Sequence, residues 1–325
     1  MPALLFLGCC VVWSGSFLLM KKAVQGYSPS EVAVGRVLGG VLTLLLLCWW
    51  RRAMRPLARR EWGWVAVVAL LGSAWPYTVQ PLVVARQGSA FVALAVSLVP
   101  LLTVGISALV LKSYPTRWQL LGVLGALVCL AGLLADGVRR AIPLGDFAWA
   151  ATVPAGYAVA NIVVRRQLRT LSPLWLTCLS LGLSGLVLVP LSPLLSHWWP
   201  PALPAEPPPP GQPTAALLVL GVLGTGLATW WFNTMVQLRG PLYAGMSTNL
   251  VPLGALLWGW ADSEQVSPTQ GFALVGIVAM VALVQWGTAS PPAQPPPDVG
   301  PRTADPNHPD PYHPDPNHPD PYHPD

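Results

Sequence analysis

Charge and apolarity alternate along this chain on a scale of about twenty residues, and that alternation constrains its fold more than any other feature. About ten apolar blocks of roughly 16 to 24 residues are separated by short segments that hold nearly all of the charge. A helix rises ~1.5 Å per residue, so blocks of this length cross a hydrocarbon core of ~30 Å; barrel strands would be near ten residues and alternate in polarity. Lipid offers backbone groups no partner, so each block must satisfy its own hydrogen bonds as a helix. Only 10% of residues are charged and 53% are hydrophobic, too little charge to coat a water-soluble globule. The expected fold is all-α and polytopic, and a soluble enzyme is excluded.

The spans are predicted at 3–20, 32–50, 62–85, 89–111, 120–135, 147–164, 174–195, 215–236, 242–260 and 272–286. Placing the N-terminus inside puts eleven Lys and Arg in inner loops against five outside, the bias expected of a bacterial-type inner membrane protein. An even number of spans then makes both termini cytoplasmic, with the long loop 196–214 outside. The net charge of +5 is collected at the ends of apolar blocks, a topology signal rather than a nucleic-acid stripe. The first block is followed by Lys21 and Lys22 and preceded by no positive residue, so it reads as a retained helix rather than a cleaved signal. The five cysteines lie within apolar blocks as packing residues. No His, Glu or Asp cluster sits at catalytic or metal-ligand spacing within the spans, so no catalytic residue, cofactor or resident metal is expected.

From residue 289 the composition turns Pro-rich, ending in five-residue repeats that carry His308, His313, His318 and His323. This 289–325 tail is expected to be a disordered cytoplasmic extension, either an inert repeat expansion or an adventitious metal binder.

The rest of the chain repeats itself. At an offset of 144, Trp13, Lys21-Lys22 and Ser28-Pro29 align with Tyr157, Arg165-Arg166 and Ser172-Pro173. At 152, Gly88 aligns with Gly240 and the Leu-Val-Pro ending at Pro100 with that ending at Pro252. The halves divide as 1–141 and 142–288. Each holds five spans, an odd number, so the second enters the membrane from the opposite side as an inverted repeat.

Pro100 and Pro252, at equivalent positions, lack an N–H and free the carbonyls of Val96 and Thr248 as helix kinks. Ser97, Ser247, Thr248 and Asn249 add polarity beside them. Two readings stand: a midplane site, or interhelical hydrogen bonding within a bundle. Tyr77 and Gln80 in the third span, Tyr157 and Asn161 in the sixth, and Trp230 and Asn233 in the eighth combine aromatic faces with amides, as organic-solute pockets do. Arg36 lies inside the second span, either in an outer vestibule, in a charge pair with Glu31, or snorkelling to the headgroups. Lys22 is a second candidate for the mouth of a pathway. No carboxylate falls near the middle of a span, which argues against coupling through a central acid.

The stretch Trp13 to Phe17, followed by Lys22, Ser28-Pro29 and Arg36, resembles the first signature of the EamA-type branch of the drug/metabolite transporter superfamily. Pro252, Glu264, Ser267 and Gln270 resemble its second. The first half matches that second signature at Pro100, Thr116 and Gln119 but carries Lys112 or Ser113 in place of the Glu. The resemblance covers residues 2–287 and implies ten helices in two inverted five-helix halves. It also implies a secondary carrier, an exporter or facilitator of a small polar metabolite such as an amino acid, working by alternating access. Its expected partners are that solute and the lipid bilayer; a homodimer is compatible with it. Competing readings are a non-transporting receptor or scaffold and a carrier of a phosphorylated or nucleotide-linked solute. The latter needs a cationic centre, for which only Arg36 and Lys22 are available, both expected at the periphery.

Overall fold

The computed structural model describes residues 2–96, 98–111, 116–118, 120–122, 124–125, 128–129, 132, 142–198, 208–263 and 268–286. All regular structure among them is helical: α1 Pro2–Ala23, α2 Pro29–Trp50, α3 Arg59–Gln87, α4 Ser89–Val96, α5 Val99–Leu111, α6 Leu144–Gln167, α7 Pro173–Trp198, α8 Gln212–Arg239, α9 Pro241–Ala261 and α10 Pro268–Trp286. Half of the predicted fifth span, 120–135, lies outside the described residues. Among the described residues, six helices are long and apolar enough to cross a membrane. The 22 residues of α2 rise about 33 Å.

Helix ends lie zero to four residues beyond the apolar blocks because they carry chain-specific starts and stops. At the start of α2, Ser28 N donates to Glu31 Oε2 at 2.7 Å and Glu31 N to Ser28 Oγ at 3.3 Å, a capping box ahead of Pro29. Glu31 is thereby committed to capping rather than to the pair with Arg36 considered above. Gly88 and Gly240 adopt φ of 85° and 94°, turning the chain from α3 into α4 and from α8 into α9 within one residue. Their equivalence at the 152 offset shows the two halves using one device.

The expected single helix over 89–111 is broken. Pro100 cannot donate to Val96, and Leu98 N bonds to Ala95 O at 3.2 Å in a turn, so the helix is interrupted at Leu98, between α4 and α5. Its counterpart α9 runs through Pro252 without interruption. The kinks are therefore equivalent in sequence and different in outcome.

The bundle is inside-out relative to a soluble protein. Leu42, Leu46, Trp49, Leu186 and Leu257 are exposed, while Ser16, Thr177, Ser180, Ser184 and Thr225 are buried between helices. Packing follows the repeat: α2 lies along α7, α1 packs on α8 and α9, and α6 packs on α3, α4 and α5. Each of the two central long helices contains a π-helical stretch at corresponding positions, Leu70–Ala74 in α3 and Leu220–Leu227 in α8. A π stretch shifts backbone carbonyls out of register, and neighbours use carbonyls there: Ser184 Oγ donates to Ala69 O at 2.9 Å and Trp13 Nε1 to Gly224 O at 2.9 Å. Gly39 and Gly40 of α2 meet Gly221 and Gly226 of α8 backbone to backbone, where an added Cβ would lie 3.2 Å from the facing main chain.

Candidate functional site

A cavity of about 80 Å³ opens between the two halves. Four residues of α1, Trp13, Ser16, Phe17 and Met20, present one helical face to it, at i, i+3, i+4 and i+7. Their equivalents at the 144 offset, Tyr157, Ala160, Asn161 and Val164 of α6, present the same face from the other half. Arg36 of α2 and Ser180 of α7 stand in the same relation. Tyr77, Gln80, Val96 and Val99 are matched at 152 by Thr229, Phe232, Thr248 and Val251. Tyr77 and Thr229, equivalent residues, meet through Oη and Oγ1 at 3.1 Å, so the repeat axis passes through the cavity.

Position is symmetric and chemistry is not. Arg36 is buried; its Nε donates to Thr225 Oγ1 at 3.0 Å, its Nη1 to Gln80 Oε1 at 3.3 Å, and the guanidinium sits 4.1 Å over the Tyr77 ring. Gln80 Nε2 in turn donates to Tyr157 Oη at 3.2 Å. On the other side the equivalent positions are aromatic, with the Trp13 and Phe232 rings 5.1 Å apart. Asn161 is 6% exposed and has no hydrogen bond to any described residue, which leaves a buried amide facing the cavity. Asn233, equally buried, gives its Nδ2 to Thr177 Oγ1 at 2.9 Å.

Of the residues expected from sequence, Tyr77, Gln80, Tyr157, Asn161, Asn233 and Thr248 line this cavity. Ser247 does not: it is fully buried against its own helix, donating to Ala244 O at 2.7 Å. Trp230 also points elsewhere, to Arg51, whose guanidinium lies 5.6 Å from its ring. Ser97 lies outside the described residues, and the side chains of Asn249, Pro100 and Pro252 do as well. Arg36, expected at a vestibule, lies on the cavity wall instead, because α2 packs between α7 and α8 there rather than facing lipid. The α1 stripe and Phe232 were missed. Projecting Tyr157, Asn161 and Gln80 onto their repeat partners would have found Trp13, Phe17 and Phe232.

Lys22 is not on the cavity but at one end of the bundle, where Lys21 Nζ meets Asp262 Oδ2 at 2.7 Å and Lys22 Nζ pairs with Asp262 Oδ1, joining α1 to the end of α9. Burial alone would raise the Asp262 pKa, but hydrogen bonds from the two lysines outweigh it and hold the carboxyl below its usual range. A depressed carboxylate pKa stabilises the fold above the unfolded value and loses that contribution as pH falls through the folded one. Wild type is therefore expected to exceed Asp262→Asn in stability by up to ~1 kcal/mol at neutral pH, since the groups are partly solvated. Thermal unfolding across pH should show the gap closing below about pH 4. A gap undiminished in strong acid would assign the effect to packing.

The profile of the EamA-like transporter family matches residues 1–135 and 146–286. A solved structure described only as the crystal structure of a protein is 20% identical, with a TM-score of 0.60 over 88% of this chain and 97% of its own, and shares the fold. No individually curated protein matches the sequence.

Proposed function

We propose, from the premise that the chain belongs to the EamA-like transporter family, that it is a secondary carrier moving a small polar metabolite such as an amino acid by alternating access, with the cavity as its binding site. The observation that carries this reading is the Asn161 amide, without a partner among the described residues, on a cavity built from equivalent positions of two inverted repeats. A site on the repeat axis is approached alike by both halves, so rocking one half against the other can expose it to either side in turn. A scaffold has no need of such a cavity. The volume of about 80 Å³ fits a solute of few heavy atoms, well below the ~300 Å³ at which drug-sized pockets begin, and so disfavours nucleotide-linked cargo. The Lys and Arg distribution supports an inner-membrane orientation with cytoplasmic termini.

The test is to compare metabolites exported and retained by cells with and without the gene, then to measure flux of the changed solutes with purified protein in vesicles. Asn161→Ala is expected to reduce saturable flux about tenfold or more, because a site built to hydrogen-bond its solute then lacks the donor. Thermal stability should change little, since the amide has no partner to lose among the described residues. If no solute changes and vesicles move none, the carrier reading is wrong.

A further inference from the structure

Arg36 is the one charged side chain among the described residues that line the cavity. Its neighbours Thr225, Gln80 and Tyr77 are all neutral, and no carboxylate among the described residues pairs with it. A guanidinium cannot shed its charge inside a protein and carries five N–H donors, of which the structure occupies two. The three that remain belong to Nη1 and Nη2, a pair of nitrogens that can hold both oxygens of a carboxylate at once. A buried cation without a counter-charge is costly in a membrane bundle. A guanidinium so placed on the wall favours an anion in the cavity.

We infer that the solute is a small carboxylate, ion-paired to Arg36 and laid with its apolar part against Trp13, Phe17 and Phe232. This rests on the cavity being the solute site. Charge balance selects the class: one cation neutralises one negative charge, whereas a phosphate ester near −2 at neutral pH would carry excess charge into a cavity with no second cation among the described residues that line it. Lys22 cannot supply it, being engaged by Asp262 at the end of the bundle. The orientation follows from the divergence of the repeats, in which Gln80 and Asn161 occupy positions whose equivalents are Phe232 and Phe17. One wall holds the carboxylate and the other shelters hydrocarbon.

Purified protein in lipid nanodiscs is to be heated with a panel of small monocarboxylates, acetate to valerate together with glycine and alanine, each beside its uncharged-carboxyl partner, the primary amide. Carboxylates are expected to raise the unfolding temperature where their amides do not. Arg36→Gln should weaken that binding about thirtyfold or more, as loss of one member of a buried charge pair does. Gln80→Glu is the decisive variant. It retains Arg36 and the shape of the site while placing a carboxylate against Nη1, so the protein should be at least as thermostable as wild type and should lose the response to carboxylates. The inference is overturned if no carboxylate exceeds its amide across the panel, or if Gln80→Glu responds as wild type does. The carrier reading fails separately: Arg36-dependent carboxylate binding without any flux removes the carrier and leaves the anion site, whereas flux of only solutes that lack a carboxylate does the reverse.

Discussion

Leucine in place of Gly221 is expected to cost about 1–3 kcal/mol or more and to leave little monodisperse protein after extraction. The position faces main chain: an added Cβ would stand 3.2 Å from Gly39 Cα and 3.3 Å from the Arg36 carbonyl oxygen, and backbone cannot rotate aside as a side chain can. Three further carbons would force α2 and α8 apart where their main chains meet. That separation would also withdraw Thr225 of α8 from Arg36 of α2, so the damage reaches the cavity. Gly182→Leu provides the control, because nothing lies within 4 Å of a Cβ there. Unfolding temperature and yield in detergent should separate the two variants clearly. Equal behaviour would mean that the glycine crossing is not what holds these helices together.

Thr225→Val is expected to destabilise by about 1.5–3 kcal/mol, the range for a hydrogen bond to a charged group, although the replacement has nearly the same shape. Thr225 is fully buried and its Oγ1 accepts from Arg36 Nε at 3.0 Å. Ordinary interhelical hydrogen bonds in membrane proteins average only ~0.6 kcal/mol, because the separated helices find other partners. The size of the effect therefore reports whether a charge is at stake. A double-mutant cycle with Arg36→Met isolates the pair: once the guanidinium has been removed, Thr225→Val should cost little, giving a coupling above ~1 kcal/mol. Coupling near zero would place the stabilisation in Thr225 packing and remove the charged hydrogen bond from the account of the site.

The sequence by itself determined the membrane-spanning all-α class and the two-repeat plan. Length and apolarity of the blocks leave the backbone one way to be satisfied in lipid, and equivalences such as Gly88 with Gly240 survive because each must take a positive φ at the same turn. Helix ends were legible to within a few residues from the apolar blocks, while the Ser28 and Glu31 cap, which starts α2 at Pro29 rather than at 32, was not read from them. The identity of the cavity wall was legible only in part. Tyr77, Gln80, Tyr157 and Asn161 stand out as polar or amphipathic groups in apolar spans, and they line it. Trp13, Phe17 and Phe232 do not stand out, since an aromatic residue in a span looks the same whether it faces lipid, a neighbour or a cavity. Tertiary structure alone decided those directions, and with them the fate of the charges. Lys22 went to Asp262, and Arg36 to the cavity wall without a carboxylate among the described residues. Which charges meet depends on how α1, α2, α8 and α9 pack, and linear spacing carries no record of contacts between residues more than a hundred positions apart.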